Sequence, residues 1–182
     1  MSGTEDDLVV LLDEAGRPVG QAEREQIHGA DTPLHLAFSC YLFDEAGRLL
    51  LTRRALTKRS WPGVWTNSCC GHPRPGESPA QAVARRVSDE LGLSVRDLRL
   101  VLPNFRYRAV DASGVVENEL CPVWVGTAEG VLNPDPAEVM DTSWAEWATV
   151  VGLAAGAPAV LSPWSAEQVP QLAEQLGEAG VA

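Results

Sequence analysis

The sequence lacks the features that would place it outside a reducing compartment or across a membrane. Its four cysteines (Cys40, Cys69, Cys70, Cys121) form no Cys-x-x-Cys pair and no framework of the kind found in secreted domains. No apolar run approaches the ~18 residues needed to span a bilayer. Residues 1–7 are acidic and polar, which reads as a flexible start and not as a signal peptide. A cytoplasmic location and no membrane association are expected. Basic residues are scarce: 14 Lys and Arg stand against 25 Asp and Glu, for a net charge of −11. That balance argues against nucleic acid or an anionic membrane as a partner. Histidine is scarcer still, with only His28, His35 and His72.

What remains is ordinary for one globular domain. The chain has 182 residues, 45% of them apolar, enough for a single domain over 1–182 with a real core, expected to be a monomer. The few cations are unevenly spread. Arg53, Arg54, Lys58 (the only lysine) and Arg59 fall within seven residues, and Arg85–Arg86 and Arg106/Arg108 form further clusters. Most such clusters are solvated surface. A small anionic substrate, however, would need local positive charge in an acidic protein.

Periodicity and turn residues predict a mixed α+β fold. Strands are expected at 8–12, 36–43, 48–53, 98–110 (with a break at Pro103–Asn104), 115–125 and 138–144. The repeated Asp-Glu-Ala-Gly-Arg at 13–17 and 44–48 reads as one hairpin solution used twice. A polar segment covers 21–26, and Gly29, Asp31 and Pro33 make 28–35 a loop. A helical region is expected after Trp144, a loose segment at 152–158, and a last helix opening at Ser162 and running to about Leu176.

The best-punctuated stretch runs from Thr66 to Leu93. Ser78 suits an N-cap, Pro79 the first helical position, Gln81 a capping box and Gly92 a C-terminal stop. Ala80, Val83, Ala84, Val87 and Leu91 fall on one predicted apolar face, with Arg86 and Glu90 four apart on another. Gly71, Glu77, Arg85, Val87, Asp89, Glu90, Gly92 and Leu93 stand in the register of the Nudix box, G-x5-E-x7-R-E-U-x-E-E-x-G-U. The stretch therefore resembles that box, with Asp89 a mild departure and Arg86 a serious one, since it replaces a metal-binding Glu of Nudix hydrolases. The resemblance implies a Nudix-like mixed sheet sandwiched between helices, with its hydrolase chemistry damaged.

Three histidines in Gly/Pro-rich loops accompany Glu117 and Glu119, which share one face of a predicted strand. Such carboxylates sit about 7 Å apart and repel by roughly 2 kcal/mol at an effective dielectric near 20. A cation relieves that repulsion if the face turns inward. Three imidazoles with carboxylates suit Zn²⁺, Mn²⁺ or Fe²⁺; a more exposed carboxylate such as Glu90 suits Mg²⁺ carrying a phosphate. Cys70 and His72 share one side of the chain if 69–72 is extended, with Cys69 on the other.

Several segments together narrow the resemblance: Arg53-Arg54-Ala-Leu, Trp61-Pro-Gly-Val-Trp-Thr-Asn-Ser-Cys-Cys70-Gly-His72-Pro, Phe105-Arg-Tyr107-Arg, Glu117-Asn-Glu119-Leu-Cys-Pro and Ser162-Pro-Trp164. Over 8–164 the chain resembles type 1 isopentenyl diphosphate isomerases, which have a Nudix-like fold. The resemblance implies Cys70 and Glu119 as the acid/base pair, assisted by Tyr107. It implies one divalent metal (manganese, zinc or magnesium) on His28, His35, His72, Glu117 and Glu119. A Mg²⁺ accompanying the substrate diphosphate is implied at Glu90. Arg54, Lys58 and Arg86 are implied as diphosphate contacts, Arg24 stands at a further basic position, and Trp164 is implied over the reacting carbons. Cys69 is expected to be a small buried filler. A Nudix hydrolase of a nucleoside or prenyl diphosphate and a non-catalytic Nudix-like module are the competing readings.

Overall fold

The same turn opens two hairpins. Asp13 Oδ1 accepts from the amides of Ala15 and Arg17 at 2.9 Å each, and its Oδ2 accepts from Arg17 Nε at 2.8 Å. Asp44 repeats this with Ala46 and Arg48 at 3.0, 2.8 and 2.8 Å. Gly16 and Gly47 take φ of +77° and +76°, a conformation that glycine adopts without a Cβ penalty. In the computed structural model, which describes residues 8–177, the first turn joins β1 (Leu8–Leu12) to β2 (Pro18–Glu23). The expected flexible start at 1–7 lies outside the described residues. The polar segment 21–26 becomes the end of β2 and the single-turn α1 (Arg24–Ile27). The loop after it ends on β3 (His35–Leu36), and the second turn joins β4 (Phe38–Phe43) to β5 (Arg48–Arg54).

The chain continues through β6 (Trp65–Thr66), β7 (Cys69–Gly71), α2 (Pro79–Leu91), β8 (Ser94–Leu102), β9 (Arg106–Val110), β10 (Val116–Leu120), β11 (Val123–Glu129), β12 (Val139–Glu146), α3 (Trp147–Gly156) and α4 (Pro163–Leu176). These strands make two sheets. One has the order β2-β1-β3-β10-β9; the other has β12-β5-β4-β11-β8, with β6 on β5 and β7 on β4. The strands expected at 98–110 and 115–125 are therefore each two strands, one in each sheet. Prolines explain the divisions: Pro103 and Pro122 have no amide to donate to a ladder. Across the second break Cys121 N donates to Phe105 O (2.8 Å) and Ser39 N to Pro122 O (3.1 Å), so both sheets hold the crossing.

All six residues of β4 are buried, because this strand is covered on both faces. Phe38, Cys40 and Leu42 pack with Val83, Val87 and Leu91 of α2. Tyr41 and Phe43 pack on the other side with Trp147, Val169 and Leu172 of α3 and α4. The seven-stranded sheet is thus sandwiched between helices, as the Nudix-like reading expected. It is mixed, since β4 runs parallel to β11 and antiparallel to β5 and β7.

The caps of α2 are those read from the sequence. Ser78 Oγ accepts from Gln81 N, the reciprocal capping-box bond is present, and Gly92 takes the left-handed cap at φ +67°. Ser78→Ala should cost about 1 kcal/mol of stability, read as a lower urea midpoint with an unchanged slope. The expected apolar face is corrected: Ala84 is exposed and Ala80 half-buried, and the buried stripe is Ala82, Val83, Val87, Glu90 and Leu91. Glu90 turns inward because partners meet it there. α3 begins at Trp147 and runs through the small residues to Gly156, so the segment expected to be loose from 152 is helical for most of its length; Val150 and Ala154 anchor it in the core. Among the described residues no helix is long and apolar enough to cross a membrane.

Candidate active site

The three histidines converge from separate segments. His28 follows α1, His35 lies on β3 and His72 follows β7. Their ring centroids lie 5.1, 5.6 and 5.0 Å apart pairwise. His28 Nδ1 lies 2.6 Å from Arg24 O and His35 Nδ1 2.9 Å from Pro33 O, so each of these rings has a main-chain acceptor at Nδ1 and turns Nε2 to the centre. There His35 Nε2 lies 3.2 Å from His72 Nε2, and Glu119 Oε1 lies 3.2 Å from His72 Nε2 and 3.5 Å from His35 Nε2. Strand pairing sets this up: Glu119 of β10 is in register with Tyr107 of β9 on one side and His35 of β3 on the other.

One ligand atom from each of His28, His35, His72 and Glu119 lies within 4.8 Å of the others. Glu117 adjoins this group, not within it. Its Oε1 accepts from Ser60 Oγ at 2.6 Å, while its buried Oε2 lies 3.2 Å from His28 Nε2 and makes no hydrogen bond. Both glutamates are buried, so the strand face does turn inward. Three imidazoles, two carboxylates and an orphaned buried carboxylate oxygen fit a divalent first-row cation.

A neutral His72 and an ionised Glu119 suit that donor set. Burial pushes His72 down to about 4, so its ring is neutral. Burial would raise the Glu119 carboxyl, but hydrogen bonds from His35 and His72 outweigh it and hold it well below the usual carboxylate range. His28 is raised: burial disfavours its charge, and the Glu117 carboxylate more than offsets this. Burial lifts the Tyr107 phenol well above its ordinary value. It also pushes the Cys70 thiol up to about 11, leaving it protonated at neutral pH.

A cavity of about 560 Å³ opens over this cluster. Arg24, His28, Arg54, Lys58, Cys70, His72, Arg86, Tyr107, Glu117, Glu119 and Trp164 all line it. Of the residues the sequence singled out as site residues, His35 and Glu90 do not reach its wall. His35 is fully buried behind the other ligands. Trp164 is buried, with Trp61 edge-on to it at 5.4 Å, Tyr107 tilted at 5.7 Å, and the Arg54 guanidinium 5.5 Å from its ring centroid.

Glu90 is not the more exposed carboxylate expected from the sequence but a buried one, 8% exposed, and it stands outside the histidine group. It pairs with Arg86, accepts from Cys69 Sγ at 3.6 Å, and lines a second cavity of about 40 Å³ with Lys58, Cys69, Cys70 and Glu138. Burial raises its carboxyl above the ordinary range, against the pull of Arg86. Cys69 is buried as expected, but its thiol faces this carboxylate and is more than filler.

Glu138 went unnoticed in the sequence. It pairs with Lys58, lies 3.5 Å from Arg86, and borders both cavities. A single Glu after a Pro-rich loop carries no periodic signal. Asn67, within the Trp61–Pro73 segment, and Ser60 carry no role in the sequence reading; their contacts to Trp164 and Ser165, and to Glu117, come from distant segments. Arg85 grips Glu77 through two bonds of 2.7 and 2.8 Å, which makes that part of the Nudix box a brace for the loop before α2.

The NUDIX domain model matches residues 33–172. A Mycolicibacterium vanbaalenii protein named isopentenyl-diphosphate Delta-isomerase is 61% identical over 166 residues, covering 91% of each chain. The protein of that name from Frankia alni is 62% identical over 90% of this chain and 84% of its own. This chain belongs to the isopentenyl-diphosphate Delta-isomerase family. A third member, from Paenarthrobacter aurescens, is 54% identical over 96% of this chain and 94% of its own. A solved structure of DR0079 from Deinococcus radiodurans shares the fold, with a TM-score of 0.68 at 18% identity over 90% of this chain and 98% of that one. A MutT protein from Methanosarcina mazei gives 0.59 at 20% identity over 76% and 92%. At those identities the likeness is one of fold.

Proposed function

We propose that this chain isomerises isopentenyl diphosphate to dimethylallyl diphosphate. The observation that carries the reading is a protonated, half-buried thiol (Cys70) and an ionised, buried carboxylate (Glu119) lining one cavity. The alkene is unactivated, so the double bond moves only if a proton is added at the terminal carbon and another is lost two carbons away. The intermediate is a tertiary carbocation. An acid and a base must flank the allyl unit, and a thiol and a carboxyl can each act in either direction. The pair holds one transferable proton. Each forward turnover moves it from one residue to the other, and the reverse reaction or proton exchange with solvent restores it.

Tyr107, a neutral phenol in register with Glu119, supports that carboxylate. The Trp164 indole faces the developing cation; cation–π attraction is worth about 2 kcal/mol when desolvated. A divalent ion (manganese, zinc or magnesium) on His28, His35, His72 and Glu119, with Glu117 Oε2 beside it, would supply fixed positive charge that sets the proton affinity of Glu119. Arg24, Arg54, Lys58 and Arg86 hold the diphosphate at the other end, and a Mg²⁺ accompanying it would take a carboxylate oxygen from Glu90. That remote binding energy keeps the alkene in place. The reading is completed by a cytoplasmic monomer forming one domain.

Incubation with isopentenyl diphosphate, followed by NMR for the product and by a phosphate assay, tests this. Conversion without phosphate release is expected; phosphate release without conversion would make the chain a hydrolase. Arg86→Gln should raise the Kd for isopentenyl diphosphate about tenfold or more in calorimetry, the loss of one charge-assisted contact. An unchanged Kd would leave Arg86 as a partner of Glu90 and Glu138 alone.

A further inference from the structure

We propose that Asn67 is a positioning residue that holds the proton-transferring thiol of Cys70 and the cation-facing indole of Trp164 in fixed relation. The inference rests on the isomerase reading. Asn67 is fully buried and lines neither cavity, so it touches no substrate. Its Nδ2 donates to Cys40 O at 3.0 Å and Cys69 O at 2.8 Å. Both amide hydrogens are thereby spent on main-chain carbonyls, and the two carbonyls fix which way the carboxamide points. Oδ1 faces the opposite way. It accepts from Cys70 Sγ at 3.1 Å and from Trp164 Nε1 at 3.0 Å. Thr66 Oγ1 (2.8 Å) and Ser165 Oγ (3.2 Å) also point at it.

One oxygen thus touches both working groups, which lie within two hydrogen-bond lengths of each other. They come from elements far apart in the chain: Cys70 from β7 on the sheet, Trp164 from the first turn of α4. Asn67 N also donates to Ser165 Oγ at 3.0 Å, so the strand end and the helix start are tied twice at this residue. Without the oxygen, the indole N–H loses its acceptor in a buried site and the thiol keeps only the Ser39 hydroxyl, 3.6 Å away, so the link between the two is lost. Displacing reacting groups by about 1 Å costs as much as 10²-fold in rate.

The test compares wild-type protein, Asn67→Ala, and Trp164→benzothienylalanine, which keeps an aromatic face but replaces the indole N–H by sulfur. Conversion of isopentenyl diphosphate is followed at saturating and limiting substrate, with thermal unfolding and metal content checked. Asn67→Ala should lower kcat about 10- to 100-fold, with KM within about threefold, since the diphosphate contacts are untouched. The Trp164 variant should lower kcat about fivefold, the loss of one hydrogen bond, again with little change in KM. A kcat for Asn67→Ala within about twofold of wild type, or KM rising in step with the fall in kcat, would overturn the proposal. If Asn67→Ala does not unfold cooperatively, the Trp164 variant decides alone: a lowered kcat supports the link and an unchanged kcat defeats it. A wild-type protein that does not convert isopentenyl diphosphate defeats the isomerase reading instead.

Discussion

Cys70→Ala and Glu119→Gln should each lower the conversion of isopentenyl diphosphate by at least about 10²-fold, the low end for losing a general acid or base. Losing either member leaves one proton transfer without a partner, so neither variant should retain a partial cycle. Both side chains line the one cavity, and the pair carries its single proton on the thiol. Cys69 is the control. Its thiol lies in the core between the sheet and α2, against Glu90. Cys69→Ala should keep its turnover and instead lose about 1–2 kcal/mol of stability through the small void and the lost contact. The three variants are compared by product formation, each checked for fold and metal content. Near-normal turnover by Cys70→Ala would remove the thiol from the chemistry, and a dead Cys69→Ala would move it one residue along.

Removal of divalent metal should abolish conversion, and an added divalent ion should restore it. The basis is the convergence of His28, His35, His72 and Glu119 and the unpaired oxygen of Glu117 beside them. Because the ligands come from four separate segments, binding should also stabilise the fold, by about 2.7 kcal/mol at a hundredfold excess over Kd. Melting curves with and without a chelator read this independently of turnover. His35→Ala, which removes a ligand that does not border the cavity, should lose both the metal and the stabilisation. Full activity in rigorously metal-free protein would sink the prediction.

The parts of this fold that could be read from the sequence are those whose causes are local. The caps of α2 lie within three residues of its ends, and the two Asp-Glu-Ala-Gly-Arg turns bond within themselves, so both were readable. The division of 98–110 and 115–125 between two sheets was not. It depends on which distant strand each half pairs with, and proline only marks where the change can occur. Glu90 misled for a related reason. An Arg86–Glu90 pair at i,i+4 looks like a surface pair, and only the neighbouring Cys69, Lys58 and Glu138 show that it is buried. The histidines and the two glutamates were found because the chain has so few histidines to consider. Glu138, Ser60 and Asn67 are single polar residues in irregular stretches, and the contacts that give them a place at the site (Lys58 and Arg86, Glu117, Trp164 and Ser165) lie 52 to 98 residues away.

The passage of the chain between the two sheets has a mechanical consequence. It crosses from one to the other between Leu36 and Phe38, between Leu102 and Arg106, and between Leu120 and Val123. His35, Tyr107 and Glu119 each sit within two residues of one of those crossings, whereas Cys70 and His72 belong to the second sheet and the turn leaving it. The reacting groups therefore stand on opposite sides of a seam, and the gap between them is set by the angle at which the sheets meet. A substitution on the outer face of either sheet that alters its twist would be felt first as a change in the width of that gap, which makes the site a gauge of how the two sheets sit against each other.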